Sequence, residues 1–311
     1  YSKQMAEANF SIIVEFTLLG FSDLPNLQGF LFGLFLIIYT GILLGNGLII
    51  VITKTEPTLQ TPMYFFLRNF SFLEICYTSV ILPRILVSLW TQKRNISFQA
   101  CAVQFCAFFV MAITENFLLT VMAYDRYVAI CKPLNYPLIM NHRVCISLVV
   151  GSWISGIPVH VLLTYLIFSL PFCASKNLNH IFCDIRPLLK LACGDTSANE
   201  LSFYVIVLML GMLPFLLIVW SYVKIITTIL KVPANKGRSK AFSTCSSHLM
   251  VVALYFGCGI ITYLRPSSSH SEVLDKVLSI IYTTVTPMFN PIIYSLRNKD
   301  VVLALKKLLY K

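Results

Sequence analysis

The chain has 311 residues, 57% of them hydrophobic and only 12% charged, with a formal net charge of +11 and a mean hydropathy of +0.78. A soluble domain carries roughly a quarter of its residues as charges, so the composition excludes one and places the chain in a bilayer. The basic excess calls for no nucleic-acid partner, because topology and attraction to anionic inner-leaflet lipid account for it.

A membrane span needs about 20 predominantly apolar residues. Seven such runs stand along the chain, over residues 30–52, 63–86, 101–129, 144–168, 203–226, 241–264 and 273–295. In lipid the backbone must satisfy its own hydrogen bonds, and the runs lack the ~10-residue alternation of a transmembrane barrel. The expected fold is an all-α membrane protein, a seven-transmembrane helix bundle over 30–295, with a long external loop at 169–202. Residues 1–29 form an external N-terminus, and 296–311 a cytoplasmic helix and C-terminus. Residues 1–4, ahead of Met5, read as an expression-tag remnant. The first span is too long for a cleaved leader and reads as the insertion signal.

Orientation follows from lysine and arginine, which favour the cytoplasmic side. With the N-terminus outside, thirteen fall in the cytoplasmic loops and tail against nine outside. The expected location is the plasma membrane, multi-pass, N-terminus extracellular. Sequons at Asn9 and, less favourably, Asn95 would then be open to glycosylation; a third match at Asn69 falls inside the second span.

Polar groups inside the spans can be placed by depth. Arg126 lies 25 residues after Cys101, about 37 Å of helix and one membrane thickness, so the third span runs from an outer cysteine to an inner Asp125-Arg126-Tyr127 triplet. Glu115 and Glu74 both fall about 16 Å above the inner ends of their helices. Intramembrane carboxyls are costly and face a bundle interior, where Asn46, Asn116 and Asn290 are available as partners. A structural polar network is the main reading; a proton on one acid, or a cation such as sodium between the two, stays open. At the inner end Asp125 can neutralise Arg126, since an unpaired buried charge costs several kcal/mol, and Tyr222, His248 and Tyr294 fall at similar depth. In the outer half of the third span Phe108, Phe109, Ala112 and Ile113 lie about 10–18 Å below Cys101, a stretch without acids that suits a small neutral molecule. Helix packing competes with ligand contact for each of these residues.

The 169–202 loop holds Cys173, Cys183 and Cys193, and Cys101 opens the third span. An oxidising exterior permits bridges, and four cysteines allow three pairings; the favoured one, Cys101–Cys183 with Cys173–Cys193, is not forced by the sequence. His180 and Cys183 form an H-x-x-C pair, too few ligands for a closed metal site, so no metal is expected. In the seventh span Pro287 and Pro291 disfavour straight helix. After it, Val301, Val302, Leu305, Leu308 and Leu309 share a face opposite Lys306 and Lys307, the pattern of a short amphipathic eighth helix on the inner leaflet.

Five motifs stand in order at the expected spans: LGN (44–46), PMYFFL (62–67), MAYDRYVAIC (122–131), KAFSTCSSHL (240–249) and PMFNPIIYSLRN (287–298). With the three-cysteine loop, they make the whole chain resemble an olfactory (odorant) receptor, of the rhodopsin-like (class A) G-protein-coupled receptors and the terrestrial-vertebrate (class II) type. Glu74 stands where the family more often has Asp, and Leu254-Tyr255-Phe256-Gly257 varies the family's Phe-Tyr-Gly pattern. The resemblance implies a small volatile odorant as ligand. Its partner would be a heterotrimeric G protein of the stimulatory, olfactory type, engaged when the sixth span swings outward and raising cyclic AMP. It assigns the switch to Asp125, Arg126, Tyr127, Tyr222, His248, Asn290, Pro291 and Tyr294. By family position it adds Ile206, Val207, Leu210, Gly259, Ile260, Tyr263, Ile280 and Thr283 to the ligand site, with Tyr263 and Thr283 as its hydrogen-bonding groups. Amine-binding relatives place an aspartate near Phe108, so a cationic amine is disfavoured.

No phosphate loop, zinc-protease helix, nucleophile elbow or dinucleotide fingerprint is present, and no enzyme activity or cofactor is expected. A non-olfactory chemosensor for a small metabolite is the second reading. A transporter or channel is more distant, because such proteins often repeat their halves, whereas this chain has an odd number of spans.

Overall fold

The computed structural model describes residues 14–173, 175–231, 236–264, 272–296 and 299–309. Asn9, residues 1–4 and the Arg297-Asn298 end of the last motif lie outside the described residues. Among those described, seven helical stretches are long and apolar enough to cross a membrane: Pro25–Thr55, Pro62–Thr91, Phe98–Cys131, His142–Phe168, Ser197–Lys231, Cys245–Tyr263 and Val273–Tyr294. Most overrun the apolar cores expected from sequence, because polar residues cap them beyond the greasy run. Ser97 accepts from the Ala100 amide at 3.2 Å, Asn141 accepts from the Val144 amide at 3.1 Å, and Pro62 begins the second span where its missing N–H costs nothing.

Prolines interrupt three spans. The fourth divides at Gly156 into His142–Ser155 and Ile157–Phe168, with Pro158 in the first turn of the second piece. The absent Cβ of Gly156 lets the third span approach: a Cβ there would lie 3.2 Å from Ile113 and 3.3 Å from the Val110 carbonyl oxygen. In the fifth span a π-helical turn at Leu208–Met212 precedes Pro214, and in the seventh a second one at Ile281–Val285 precedes Pro287. Proline offers no amide to the carbonyl four residues earlier, and both ladders widen just before that missing donor.

The third span is the axis of the bundle, packed against the second, fourth and fifth. Two apolar clusters fill the interior. One gathers around Leu118, Leu119, Ile225 and Val251 at the Arg126 end; the other, around Phe105, Phe108, Ile167 and Phe182, lies at the disulfide end. The helix Lys299–Leu309 buries Val301 and Ala304, and the Lys307 ammonium pairs with Glu56 at 3.2 Å.

A small sheet departs from the all-helical expectation. Strands β1 (Glu15–Leu18), β2 (Asn95–Ser97) and β3 (Asn177–Leu178) pair in the order β2-β1-β3. The β1–β2 pair is antiparallel with Glu15 opposite Ser97, and β1–β3 is parallel with Thr17 opposite Asn177. Alternation sends Phe16 and Leu18 into the disulfide-end cluster, which anchors a strand too short to hold alone. The Asn95 side chain belongs to this sheet: its nitrogen donates to Glu15 at 3.0 Å and its oxygen accepts from Thr17 at 3.2 Å.

Candidate functional site

A cavity of about 100 Å3 opens between the second, third, fifth, sixth and seventh spans, toward the disulfide end. Phe108, Phe109, Ala112, Ile113, Val207, Gly259, Ile260 and Tyr263 line it as the sequence suggested, together with Tyr77, Asn116, Phe203, Gly211, Met212, Tyr255, Phe256, Leu264 and Tyr282. Among the described residues no lining side chain is acidic or basic. Ile206, Leu210, Ile280 and Thr283, expected on the wall, lie off it. Gly211 and Met212 line the cavity where Leu210 was expected, and Tyr282 where Ile280 and Thr283 were; Leu210 and Thr283 lie within the π-helical turns. Ile206 and Ile280 pack against the disulfide-end cluster instead. Thr283 is fully buried and spends its hydroxyl on the Ser279 carbonyl at 2.6 Å.

The long loop roofs the cavity. Bridges join Cys101 to Cys183 and Cys173 to Cys193, with Cα separations of 5.6 and 5.8 Å. The first fixes the loop to the third span, and the Cys183 amide donates to Gln104 at 3.0 Å. The Phe182 ring thereby lies 4.9 Å from that of Phe108. Beyond it Asp184 accepts from the Ile185 amide at 2.7 Å and from the Tyr263 hydroxyl at 3.4 Å. Tyr263 and Tyr282 share a 2.6 Å hydroxyl contact, so Tyr263, expected to bond the ligand, is engaged by roof and neighbour. Arg186 donates to the carbonyls of Thr262 and Tyr263 at 2.7 and 2.8 Å, tying the loop to the sixth span. Burial pushes the Asp184 carboxyl above its usual range, against the lowering influence of His180, Arg186 and two hydrogen bonds. His180 is pushed down by burial; its ring nitrogens meet the Phe182 carbonyl at 3.2 Å and the Ser279 hydroxyl at 3.1 Å. Cys183 is in a bridge, and among the described residues no cluster of three His, Cys, Asp or Glu side chains is placed to hold a metal.

Below the cavity floor Asn290 donates to Glu74, and the Glu115 carboxyl is within hydrogen-bonding reach of Glu74. The structure thus brings three of the expected network residues together. The other two differ. Asn46 donates within its own helix to Ile42 at 3.1 Å, and Asn116 faces the cavity, its side-chain nitrogen 3.4 Å from the Leu210 carbonyl, the very carbonyl that Pro214 leaves without an amide. Among the described residues Glu74 Oε2 and Asn290 Oδ1 have no hydrogen-bond partner; such hard oxygens are the donor type a sodium ion would accept.

At the Arg126 end Asp125 pairs with Arg126, and its other oxygen accepts from the Tyr136 hydroxyl at 2.7 Å. The Asp125 side chain is 1% exposed and that of Arg126 15%, so the arginine is the member a partner can reach. Tyr136 was missed in sequence because it lies in the following loop, where only its spacing to Asp125 marks it; burial and the Asp125 charge push its hydroxyl upward. Tyr222 and His248 are bonded at 2.8 Å across the fifth and sixth spans. Tyr294 packs its ring edge-on to Phe70 at 6.0 Å, and Tyr127 lies 5.3 Å from the Trp220 ring. Pro291 presses on the first span at Gly45, where a Cβ would lie 3.1 Å from the proline ring.

Comparisons with known proteins find relatives over nearly the whole chain. A family model described as Olfactory receptor matches residues 35–311. Olfactory receptor 10AG1 of Homo sapiens is 58% identical over 298 residues, covering 96% of this chain and 99% of that protein. Olfactory receptor 10C1, also human, is 50% identical over 98% of this chain and 97% of its own length. Human Olfactory receptor 10A5 is 51% identical, with 99% and 97% covered.

Proposed function

The chain belongs to the olfactory receptor family, and from that premise we propose that its ligand is a small, neutral, mainly hydrocarbon volatile held in the cavity beneath Phe182, and that its G protein is of the stimulatory, olfactory type, raising cyclic AMP. As a family member it is a multi-pass plasma membrane receptor for odorants that acts through a G protein, and it is not an enzyme. The observation that carries the ligand reading is the cavity wall: aromatic and aliphatic side chains, a few hydroxyls and one amide, and no charged group among the described residues. Apolar pockets with few placed polar groups are what small ligands select, and an uncompensated charge would be expelled from such a wall.

The N-terminus and the disulfide end face outward in this reading. Oxidised cysteines belong to an oxidising exterior, and the lysine and arginine bias supports the same sense. The amphipathic helix rests on inner-leaflet lipid through the exposed Leu303, with Lys306 toward headgroups and Lys307 held by Glu56. The Glu74, Glu115 and Asn290 cluster holds either a proton between its carboxyls or a sodium ion, because two carboxyls meet stably only with positive charge between them.

The cavity and the Arg126 end are linked along the sixth span. Tyr255, on the cavity wall, donates to the Ala112 carbonyl at 2.7 Å, and about two helical turns away His248 bonds Tyr222. A ligand that favours a shifted sixth span trades both bonds for its own contacts, and ligand-driven change requires such a difference between states. The test is a panel of chemically diverse volatiles on surface-expressed receptor, read by cyclic AMP and by nucleotide exchange on the purified G protein. The expected result is a saturable response to neutral hydrophobic members; a response confined to amines or carboxylates overturns the ligand reading, and exchange on another G-protein class overturns the coupling.

A further inference from the structure

The cavity wall carries four tyrosine hydroxyls and one carboxamide, and they are not equivalent. Tyr255 is bonded to Ala112, and Tyr263 and Tyr282 to each other. The Tyr77 hydroxyl and the Asn116 side-chain oxygen are buried and have no hydrogen-bond partner among the described residues, in residues only 1% and 6% exposed. Buried polar groups are nearly always paired, and each exception calls for a reason. The orientation of Asn116 is fixed: its nitrogen faces the Leu210 carbonyl, and a flipped amide would set oxygen against oxygen. One side of the deep cavity therefore offers a donor, Tyr77, and the other an acceptor, Asn116.

Their depths match. The Glu74 and Glu115 carboxyls meet; Tyr77 lies three residues toward the disulfide end from the first, and Asn116 one residue toward the Arg126 end from the second. Along the bundle the two backbone positions differ by about 6 Å at 1.5 Å per residue, an axial offset within the span of one hydroxyl bonding at about 2.8 Å on each side.

Resting on the reading of this cavity as the odorant site, we propose that the receptor is tuned to alcohols, with the hydroxyl seated deepest, accepting from Tyr77 and donating to Asn116, and the hydrocarbon tail directed toward Phe108, Phe109 and Phe203. A carbonyl or ether oxygen satisfies Tyr77 and leaves Asn116 unpaired; a hydrocarbon satisfies neither.

The test measures binding apart from signalling. A primary alkanol and its length-matched alkanal, methyl ether and alkane are titrated against detergent-solubilised, full-length receptor by thermal shift. The alkanol is expected to bind about tenfold or more tighter than the ether. Tyr77→Phe, which keeps the ring and deletes only the hydroxyl, is expected to weaken the alkanol, aldehyde and ether about tenfold while sparing the alkane, and to raise the melting temperature of the ligand-free protein by removing an unpaired buried donor. Asn116→Asp tests the acceptor: a charge placed there should abolish binding of the whole panel if the side chain faces the ligand. An ether or alkane that binds as tightly as the alkanol overturns the inference, as does Tyr77→Phe with unchanged alkanol affinity, or no alkanol binding at all. Alkanol binding without cyclic AMP would support this assignment and count instead against the proposed coupling.

Discussion

The Tyr136 hydroxyl donates to Asp125 at 2.7 Å, so the carboxylate that faces Arg126 is shared between two donors. A carboxylate that gives part of its accepting capacity to a phenol holds its arginine less tightly, and a hydrogen bond to a charged group contributes about 1.5–3 kcal/mol when buried. Tyr136 is half-buried, so the lower end applies. Tyr136→Phe should concentrate Asp125 on Arg126 and reduce agonist-driven cyclic AMP a few-fold. Asp125→Asn should do the reverse, freeing Arg126 and raising basal cyclic AMP. Surface labelling controls for expression, and two shifts in the same direction would show that the pair is no lock.

Gly45 and Pro291 join the first and seventh spans by close approach. A Cβ at Gly45 would meet the Cβ and Cγ of Pro291 at 3.1 and 3.2 Å, and the proline ring has no rotamer with which to withdraw. Overpacking of this kind costs about 1–3 kcal/mol. Gly45→Ala should lower the melting temperature and surface level, and Gly45→Val more so. Pro291→Ala, which shrinks the ring, should restore part of the loss in the double variant; equal losses in single and double variants would place the strain elsewhere.

These contacts separate what could be read in the sequence from what could not. The seven spans were legible because lipid demands about 20 apolar residues in a row, and no competing structure satisfies that demand. The depth of Phe108 to Ile113 could be counted because the third span is an uninterrupted helix from Phe98 to Cys131. In the fifth and seventh spans the expected positions came from the resemblance and not from counting, and π-helical turns stand before Pro214 and Pro287; there Gly211 and Tyr282 line the cavity in place of Leu210 and Thr283. The prolines were the available signal, although a proline announces a break and not its geometry. Tyr77 escaped because nothing in an apolar run marks which hydroxyl lacks a partner. Strand β1 escaped because its partners lie far along the chain and four residues carry too little pattern.

His180 gives the loop roof a pH dependence whose sign can be worked out. Its ring is buried between the Phe182 carbonyl and the Ser279 hydroxyl, an arrangement that suits a neutral ring with one N–H. Burial lowers its folded value below 6.5, outweighing the raising influence of Asp184 and Asp275, while Lys276 adds to the lowering. A histidine depressed in the folded state takes its proton more readily when the loop is released. Stability is therefore complete above about 6.5 and is lost as pH falls through that value. Asp184 acts in the opposite sense, since its raised folded value makes protonation favour the packed loop. His180→Gln should flatten the fall in melting temperature on acidification; an unchanged slope would assign it to other groups.

The contact between Tyr222 and His248 ties the fifth span to the sixth at the Arg126 end by a side-chain bond of 2.8 Å, with the rings 5.7 Å apart and nearly parallel. Both side chains are buried, so the bond has little competition from water, and its contribution is about 1 kcal/mol. If outward movement of the sixth span is the activating step, this bond exists in the resting state and is broken on activation. Its deletion then shifts the equilibrium toward the active state by about fivefold, since 1.4 kcal/mol is a factor of ten. Tyr222→Phe isolates that effect, because the ring and its packing remain. His248→Ala also removes the imidazole and leaves a void, which costs stability in addition. Both variants should raise basal cyclic AMP, with His248→Ala alone lowering the melting temperature appreciably. A rise in His248→Ala with none in Tyr222→Phe would mean that the histidine acts through a partner other than Tyr222, and no change in either would remove the bond from the switch.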